Sequence, residues 1–381
     1  MPVLPAKLPQ AGTTIFSVMS ALAAEHGAVN LGQGFPDFGA DPALLQAVTD
    51  AMAAGHNQYP PMTGVPALRQ AIAAKLNSLY GSAYDADRDI TITAGGTQAL
   101  YTALQCCVGA GDECLIIEPA FDSYEPAIRA AGGVCIGVPM TADYRLDWDA
   151  VRAAITPRTR ALVLNTPHNP SGRVATPEDL QTLQALAEAH DLVVISDEVY
   201  EHMIFDGSPH ESVARYPALA ARSLLVSSFG KTFHVTGWKV GYVAAPPLLS
   251  AAFRQLHQFT VFTVNTPAQH GIAAYLANPA PWQGLSTFYQ AKRDAFRAAI
   301  AATPLQLLPC EGTYFQTVDY RAVSDLPELD FAQWLTTEIG VAAIPLSVFY
   351  QRPQERGHVR FCFAKRDETL AEAARRLARL A

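Results

Sequence analysis

Seven short apolar runs punctuate the middle of the chain: DITITAG (89–95), ECLIIEP (113–119), GVCIGVPM (133–140), RALVLNTP (160–167), DLVVISDEVY (191–200), SLLVSSF (223–229) and KVGYVAAP (239–246). Most are continuous Val/Ile/Leu stretches with no polar alternation, the pattern of strands buried on both faces. Amphipathic stretches of helical period lie between several of them. The clearest is TPEDLQTLQALAEAH (176–190), where Thr176 is placed to cap, Pro177 occupies the first helical position and Asp179 sits three residues past the cap. Strands and helices in alternation predict an α/β fold with a mostly parallel central sheet.

The two ends read differently. Residues 1–38 hold a short helix-like stretch and then LGQGFPDF, and from about 281 onward longer helices are interrupted by isolated strands such as GTYFQTVDY (312–320) and HVRFCFAK (358–365). The expectation is a large domain over 39–280 and a smaller α+β domain assembled from 1–38 and 281–381. No internal repeat is visible.

Composition narrows the class. At 381 residues the chain has the length of two or three units, and 50% apolar with 16% charged residues is a globular balance. No run of 18 residues stays apolar, so no membrane span is expected. The opening MPVLPAKLPQAGTT lacks a basic region followed by an apolar one, which argues against a secretory signal. The net charge of −8 is spread along the chain, unlike the clustered Lys and Arg of a nucleic-acid surface. Six cysteines (106, 107, 114, 135, 310 and 362) form no CxxC pair and have no His at metal spacing. They read as reduced thiols, no metal is expected, and a cytoplasmic setting fits.

Several motifs fail on a single position. SSFGKT (227–232) has Leu225 where a phosphate loop needs glycine. Gly109/Gly111 and Gly32/Gly34 each lack the third glycine of a dinucleotide fingerprint, with Cys114 and Asp37 standing there. There is no GxSxG and no HExxH. What remains is a set of polar groups at strand ends. TAGGTQAL (93–100) turns from strand to helix through two glycines, so the N–H groups of Gly96 and Thr97 could hold a phosphate, although a plain tight turn looks the same. NTPHNPSG (165–172) is turn-rich after a strand, ISDEVYEH (195–202) places Asp197 where a carboxylate needs a partner, and Lys231 lies just beyond another buried strand. Taken singly, Asp197 reads as a helix cap and Lys231 as a surface charge. All fall where ligands bind open α/β sheets, beyond the carboxyl ends of the strands.

As an ordered set these motifs resemble the class I/II aminotransferases of pyridoxal 5′-phosphate (PLP) fold type I: an N-P-x-N-P-x-G-like loop at 165–172, then D-x-x-Y at 197–200, S-x-x-K at 228–231 and a basic residue near GxxxGY at 237–242. The likeness runs from LGQGFPDF to HVRFCFAK. It is nearest to the methionine aminotransferases, with kynurenine/glutamine transaminase K enzymes next, through NQYPPMTGVPALR, SSFGKTFHVTGWKVGY, LPCEGTYF and AAIPLSVF.

The resemblance implies PLP as cofactor, bonded to Lys231, which also moves the proton of the substrate α-carbon. It implies Asp197 on the pyridine nitrogen, Asn169 and Tyr200 on the ring oxygen, and Phe121 stacked on the ring. Gly96, Thr97, Ser228 and Lys239 would hold the phosphate; many relatives have arginine where Lys239 stands, and a lysine offers a point charge without the fork. Tyr59 would come from the partner of a homodimer. Arg360 would clamp the substrate carboxylate, with Asn169 beside it, and Phe16, Gly34, Tyr124 and Phe262 would shape the side-chain pocket. His202 and His234 are expected to be structural. VFTVNTP (261–267) contains no arginine for a distal carboxylate, so an apolar, sulfur-containing or aromatic amino donor is expected, methionine foremost, passing its amino group to a 2-oxo acid by a ping-pong mechanism. The same cofactor would also serve a cysteine-conjugate or cystathionine β-lyase, which the motifs do not separate. A DNA-bound sensor built on this fold would need a basic N-terminal domain, and only about 30 residues precede LGQGFPDF.

Overall fold

The computed structural model describes residue 8 and residues 12–381; the reading of residues 1–7 and 9–11 lies outside the described residues. In chain order the strands are β1 (Val29–Asn30), β2 (Ile90–Thr93), β3 (Glu113–Glu118), β4 (Val134–Pro139), β5 (Thr159–Asn165), β6 (Val193–Asp197), β7 (Ser223–Ser228), β8 (Gly241–Ala244), β9 (Gln306–Leu307), β10 (Phe315–Asp319), β11 (Val341–Ala342), β12 (Ile344–Pro345) and β13 (His358–Cys362).

Each of the seven apolar runs forms a strand of one sheet, ordered β2-β8-β7-β6-β5-β3-β4. Neighbours from β7 to β4 are parallel, whereas β8 is antiparallel to both β7 and β2. The continuous apolar runs follow from this architecture, since β2, β3 and β7 are buried at every position. The reversal of β8 has a functional consequence. Lys239 precedes β8 at its amino end, and only because β8 runs backward does Lys239 reach the face where the other strands end.

Helices cover the sheet. α1 (Ile15–Glu25), α2 (Pro42–Ala53), α3 (Pro66–Tyr80) and α4 (Gly95–Cys107) come first. The helix Pro177–Ala189 begins as its sequence predicts: the Thr176 hydroxyl accepts from Asp179 N–H and the Asp179 carboxylate accepts from Thr176 N–H. The chain ends meet in space. β1 pairs with β11 in parallel, Leu31 N–H donates to Ala342 O at 3.1 Å and Cys362 N–H donates to Leu31 O at 2.7 Å. A second sheet, β12-β13-β10-β9, lies beside them and is antiparallel throughout.

Candidate active site

The carboxyl ends of β2, β5, β6 and β7, the amino end of β8 and the middle of β13 converge on one cavity of about 250 Å³. At its base, Asn165 and Asp197 close β5 and β6 as direct partners across the ladder. Asn165 uses both ends of its amide: Nδ2 donates to the Asp197 backbone oxygen at 2.9 Å, and Oδ1 accepts from Asn169 N–H at 2.8 Å. One residue therefore holds the Asn169 loop against the strand that presents Asp197.

The Asp197 side chain is buried and accepts a 2.6 Å hydrogen bond from the Tyr124 hydroxyl. Burial pushes its carboxyl up to about 6, with the Tyr124 bond pulling the other way. Tyr124 is thus a buttress of the carboxylate and does not line the cavity, a correction to its expected place in the side-chain pocket.

Lys231 sits in the first turn after β7, on the short helix Phe229–Thr232. Its Nζ donates to the Tyr314 hydroxyl at 2.8 Å and to Gly34 O at 3.0 Å. Burial lowers the amine from its ordinary value to about 8, and the charges of Arg360 and Lys239 act in the same direction.

At the opposite pole of the cavity, α4 opens with Gly95, Gly96 and Thr97. The first N–H groups of a helix have no partner within it, and the helix dipole favours an anion there. Gly95 has φ +79°, and a Cβ on it would lie 3.4 Å from Lys239 Nζ. Glycine thus lets the lysine close over the helix start. Ser228, Thr236 and Lys239 complete this pole.

Arg360, in the middle of β13, is 1% exposed. Nη1 donates to Asn169 Oδ1 at 2.5 Å, Nη2 donates to Gly32 O at 3.2 Å, and the guanidinium lies 3.8 Å from the Phe315 ring centre. Its Nε is buried without a partner.

Every residue predicted for the site lines this cavity except Tyr59, Tyr124 and Phe262. Tyr59 and Phe262 instead pack edge-to-face on the outer surface, ring centres 5.3 Å apart, 80% and 50% exposed in the single chain. Phe262 therefore does not enter the side-chain pocket of its own chain. His202 and His234 are also outside the cavity, and burial lowers them to about 3 and about 4. Asn165, Thr236, Tyr314 and Phe315 were not singled out in the sequence. Asn165 is recognisable as the first asparagine of NTPHNPSG, Tyr314 and Phe315 close the family-like GTYF, and Thr236 lies within SSFGKTFHVTGWKVGY. Among the described residues no cluster of His, Cys, Asp or Glu could hold a metal, and no helix is long and apolar enough to cross a membrane.

An amine poised near neutrality beside a buried carboxylate, facing an anion cradle and a buried guanidinium, is the equipment of an enzyme that handles amino acids on a bound pyridoxal ring. The comparisons with known proteins agree: residues 26–377 match the family described as aminotransferase class I and II, and the chain belongs to that family, whose members depend on pyridoxal phosphate. It is 51% identical to the methionine aminotransferase of Escherichia coli over 100% of this chain and 99% of the relative, and a solved structure identified with that function in the same organism matches 99% of the chain at TM-score 0.97. The N-succinyldiaminopimelate aminotransferase structure from Mycobacterium tuberculosis is 42% identical at TM-score 0.96, all of both chains being covered. Human kynurenine–oxoglutarate transaminase 1 is 37% identical, over 92% of this chain and 91% of its own. The fold is that of the fold type I aminotransferases, and the protein is a transaminase.

Proposed function

We propose that this enzyme transfers the amino group of an apolar, sulfur-containing or aromatic L-amino acid, methionine foremost, to a 2-oxo acid by a ping-pong mechanism. The observation that carries the substrate class is the character of the cavity wall beside Arg360. The rings of Phe16, Phe315 and Phe349 surround the guanidinium; Gln33, Gly34, Leu100 and Phe121 also line the cavity, and its cations are the three with roles in the common chemistry, Lys231, Lys239 and Arg360. A distal carboxylate would be buried there without a counter-charge. The 51% identity to a methionine aminotransferase supports the same reading.

The residues present suit PLP. Asp197, raised by burial, offers an acceptor that gains from a cationic N–H partner and would hold the pyridine nitrogen. Phe121 would stack on the ring, and Asn169 and Tyr200 would meet its oxygen. Gly96, Thr97, Ser228 and Lys239 would take the phosphate, and Lys231 would bond the group covalently through Nζ. When bound, the pyridine ring supplies a sink for the electron pair left when the amino-acid α-proton is removed. Arg360 binds and orients the α-carboxylate, the task suited to a planar fork. Lys231, once free as an amine, would take the α-proton on Nζ and hold it for return on the far side of the amino nitrogen.

The same reading includes a homodimer. Tyr59 and Phe262 lie on a surface that also exposes Phe259 (86%), an apolar area suited to a second copy, and Tyr59 would complete the partner's phosphate site. It includes cytoplasmic residence, supported by six free cysteines. It also includes a division into a large unit, 39–280, and a small one from 1–38 and 281–381, supported by the β1–β11 pairing. Relative kcat/KM values for methionine, phenylalanine and aspartate test the substrate class: methionine and phenylalanine should exceed aspartate by at least about tenfold, and an aspartate preference would overturn it. Pyruvate released from a cysteine conjugate without any oxo-acid acceptor would indicate a β-lyase instead.

A further inference from the structure

Taking the aminotransferase reading as its basis, we infer that Tyr314 is a positioning residue, which with the Gly34 carbonyl orients the Lys231 amine so that its lone pair faces the reacting atoms. Three atoms form a closed triangle. The Tyr314 hydroxyl donates to Gly34 O at 2.5 Å, Lys231 Nζ donates to the Tyr314 oxygen at 2.8 Å, and Nζ donates again to Gly34 O at 3.0 Å.

Counting protons fixes what this triangle accepts. A carbonyl oxygen only accepts, with two lone pairs, and a hydroxyl has one proton to give. The single Tyr314 proton lies toward Gly34 O, which leaves the Tyr314 oxygen to accept from Nζ. Burial holds the Tyr314 hydroxyl well above its ordinary pKa, so this proton stays in place. A neutral amine has two N–H bonds and one lone pair. Both N–H bonds are used by the triangle, and the lone pair is left in a direction that neither acceptor occupies. An ammonium would bring a third N–H for which the triangle has no acceptor.

Both corners are rigidly held. The Tyr314 ring is fully buried between Tyr200, at 5.2 Å between ring centres, and Phe315, at 4.8 Å. The segment carrying Gly34 is pinned on both sides: Asn30 Oδ1 accepts from Gly32 N–H and Gln33 N–H, and Lys365 Nζ donates to Phe35 O at 2.8 Å. A side chain at position 34 would meet Phe315 Cζ at 2.9 Å, so glycine is what allows the carbonyl to approach.

The orientation serves two steps. In cofactor capture the Nζ lone pair bonds the aldehyde carbon, and the aldehyde oxygen leaves as water with the two Nζ protons. In substrate turnover the α C–H bond breaks, its proton goes to the Nζ lone pair and its electron pair passes into the pyridine ring.

Tyr314→Phe keeps the ring and removes the oxygen. Three measurements separate orientation from structure: the rate at which cofactor-free enzyme captures PLP, followed by visible absorbance; the affinity for pyridoxamine 5′-phosphate, which forms no bond to Lys231; and kcat, KM and the α-deuterium isotope effect with methionine. Capture and kcat should each fall about tenfold, the rate equivalent of one hydrogen bond. The isotope effect should rise, while KM and pyridoxamine phosphate affinity stay within about twofold of wild type. Gly34→Ala, which displaces the other corner, should slow capture similarly. Unchanged capture and kcat in Tyr314→Phe would overturn the inference. So would a loss of pyridoxamine phosphate affinity equal to the loss of kcat, since that is what a purely structural tyrosine gives. Failure of the wild type itself to capture PLP would remove the aminotransferase reading, and the inference with it, and is told apart because it needs no variant.

Discussion

Arg360 Nη1 donates to Asn169 Oδ1 at 2.5 Å, joining the middle of β13 to the loop that follows β5. Asn169 is itself fixed by Asn165, so the guanidinium is oriented through two asparagines in series. Phe315 against the guanidinium face and Gly32 O at Nη2 complete its setting. A lysine at 360 would keep the charge and lose the plane. Arg360→Lys should lower kcat/KM for methionine by about a hundredfold, roughly 3 kcal/mol and the value of one or two charge-assisted hydrogen bonds. Steady-state kinetics check it, with the loss expected mainly in KM.

Asp197 gives a pH dependence with a definite sign. Burial raises its carboxyl to about 6, so in the protein without cofactor it gains a proton as the pH falls through that value. Pairing with a pyridine N–H requires the ionised form. Affinity for pyridoxamine 5′-phosphate should therefore weaken as pH falls from 7 to 5. In Asp197→Asn, affinity should be lower at pH 7 by about 2 kcal/mol or more, and the part of the pH dependence owed to this group should vanish. Titration calorimetry at several pH values measures both.

Behind the site, Lys75 on α3 and Glu201 form a fully buried pair at 2.6 Å. Glu201 also accepts from the hydroxyls of Tyr80 at 2.8 Å, Ser227 at 2.9 Å and Tyr242 at 3.1 Å. Burial, the largest single influence, raises Glu201, but the Lys75 charge and hydrogen bond together with His202 and His210 outweigh it and hold the carboxyl well below the usual range. Lys75→Met should destabilise the protein by about 3–5 kcal/mol, because it leaves a buried charge uncompensated. Lys75→Met with Glu201→Leu should cost less than Lys75→Met alone. Denaturant unfolding of the set reads the coupling.

The exposed aromatic surface predicts assembly. Phe259→Asp would put a charge in the proposed subunit contact, and sedimentation should show the dimer weakened. Activity should fall with protein concentration more steeply than in wild type, since Tyr59 would act across the contact. A wild-type monomer at full activity would contradict this.

Much of the sheet is legible in the sequence because its strands are buried on both faces and therefore read as unbroken apolar runs. The helix Pro177–Ala189 is legible because its capping box is local. The reversal of β8 is not, since an apolar run carries no direction; only pairing with β2 and β7 reveals it. In the site, Lys231, Asp197 and Asn169 each have an ordinary reading taken singly, as surface charge, helix cap and turn residue, and become legible only through the order and spacing of their motifs. Tyr124 was misplaced because an aromatic near a pocket can face a ligand or brace a catalytic group, and the choice rests on a 2.6 Å contact with a residue 73 positions away. Tyr314 went unnamed for a similar reason: its partners, Gly34 and Lys231, are brought to it only by the meeting of the chain ends.

The most direct measurement is the visible absorption spectrum of the purified enzyme after incubation with PLP, recorded before and after L-methionine is added without any oxo acid. A visible band that forms in wild type but not in Lys231→Ala, and that gives way to the amino form of the cofactor when methionine is added, is the predicted result. No band in the wild type, or one that Lys231→Ala reproduces, would contradict the account at its centre.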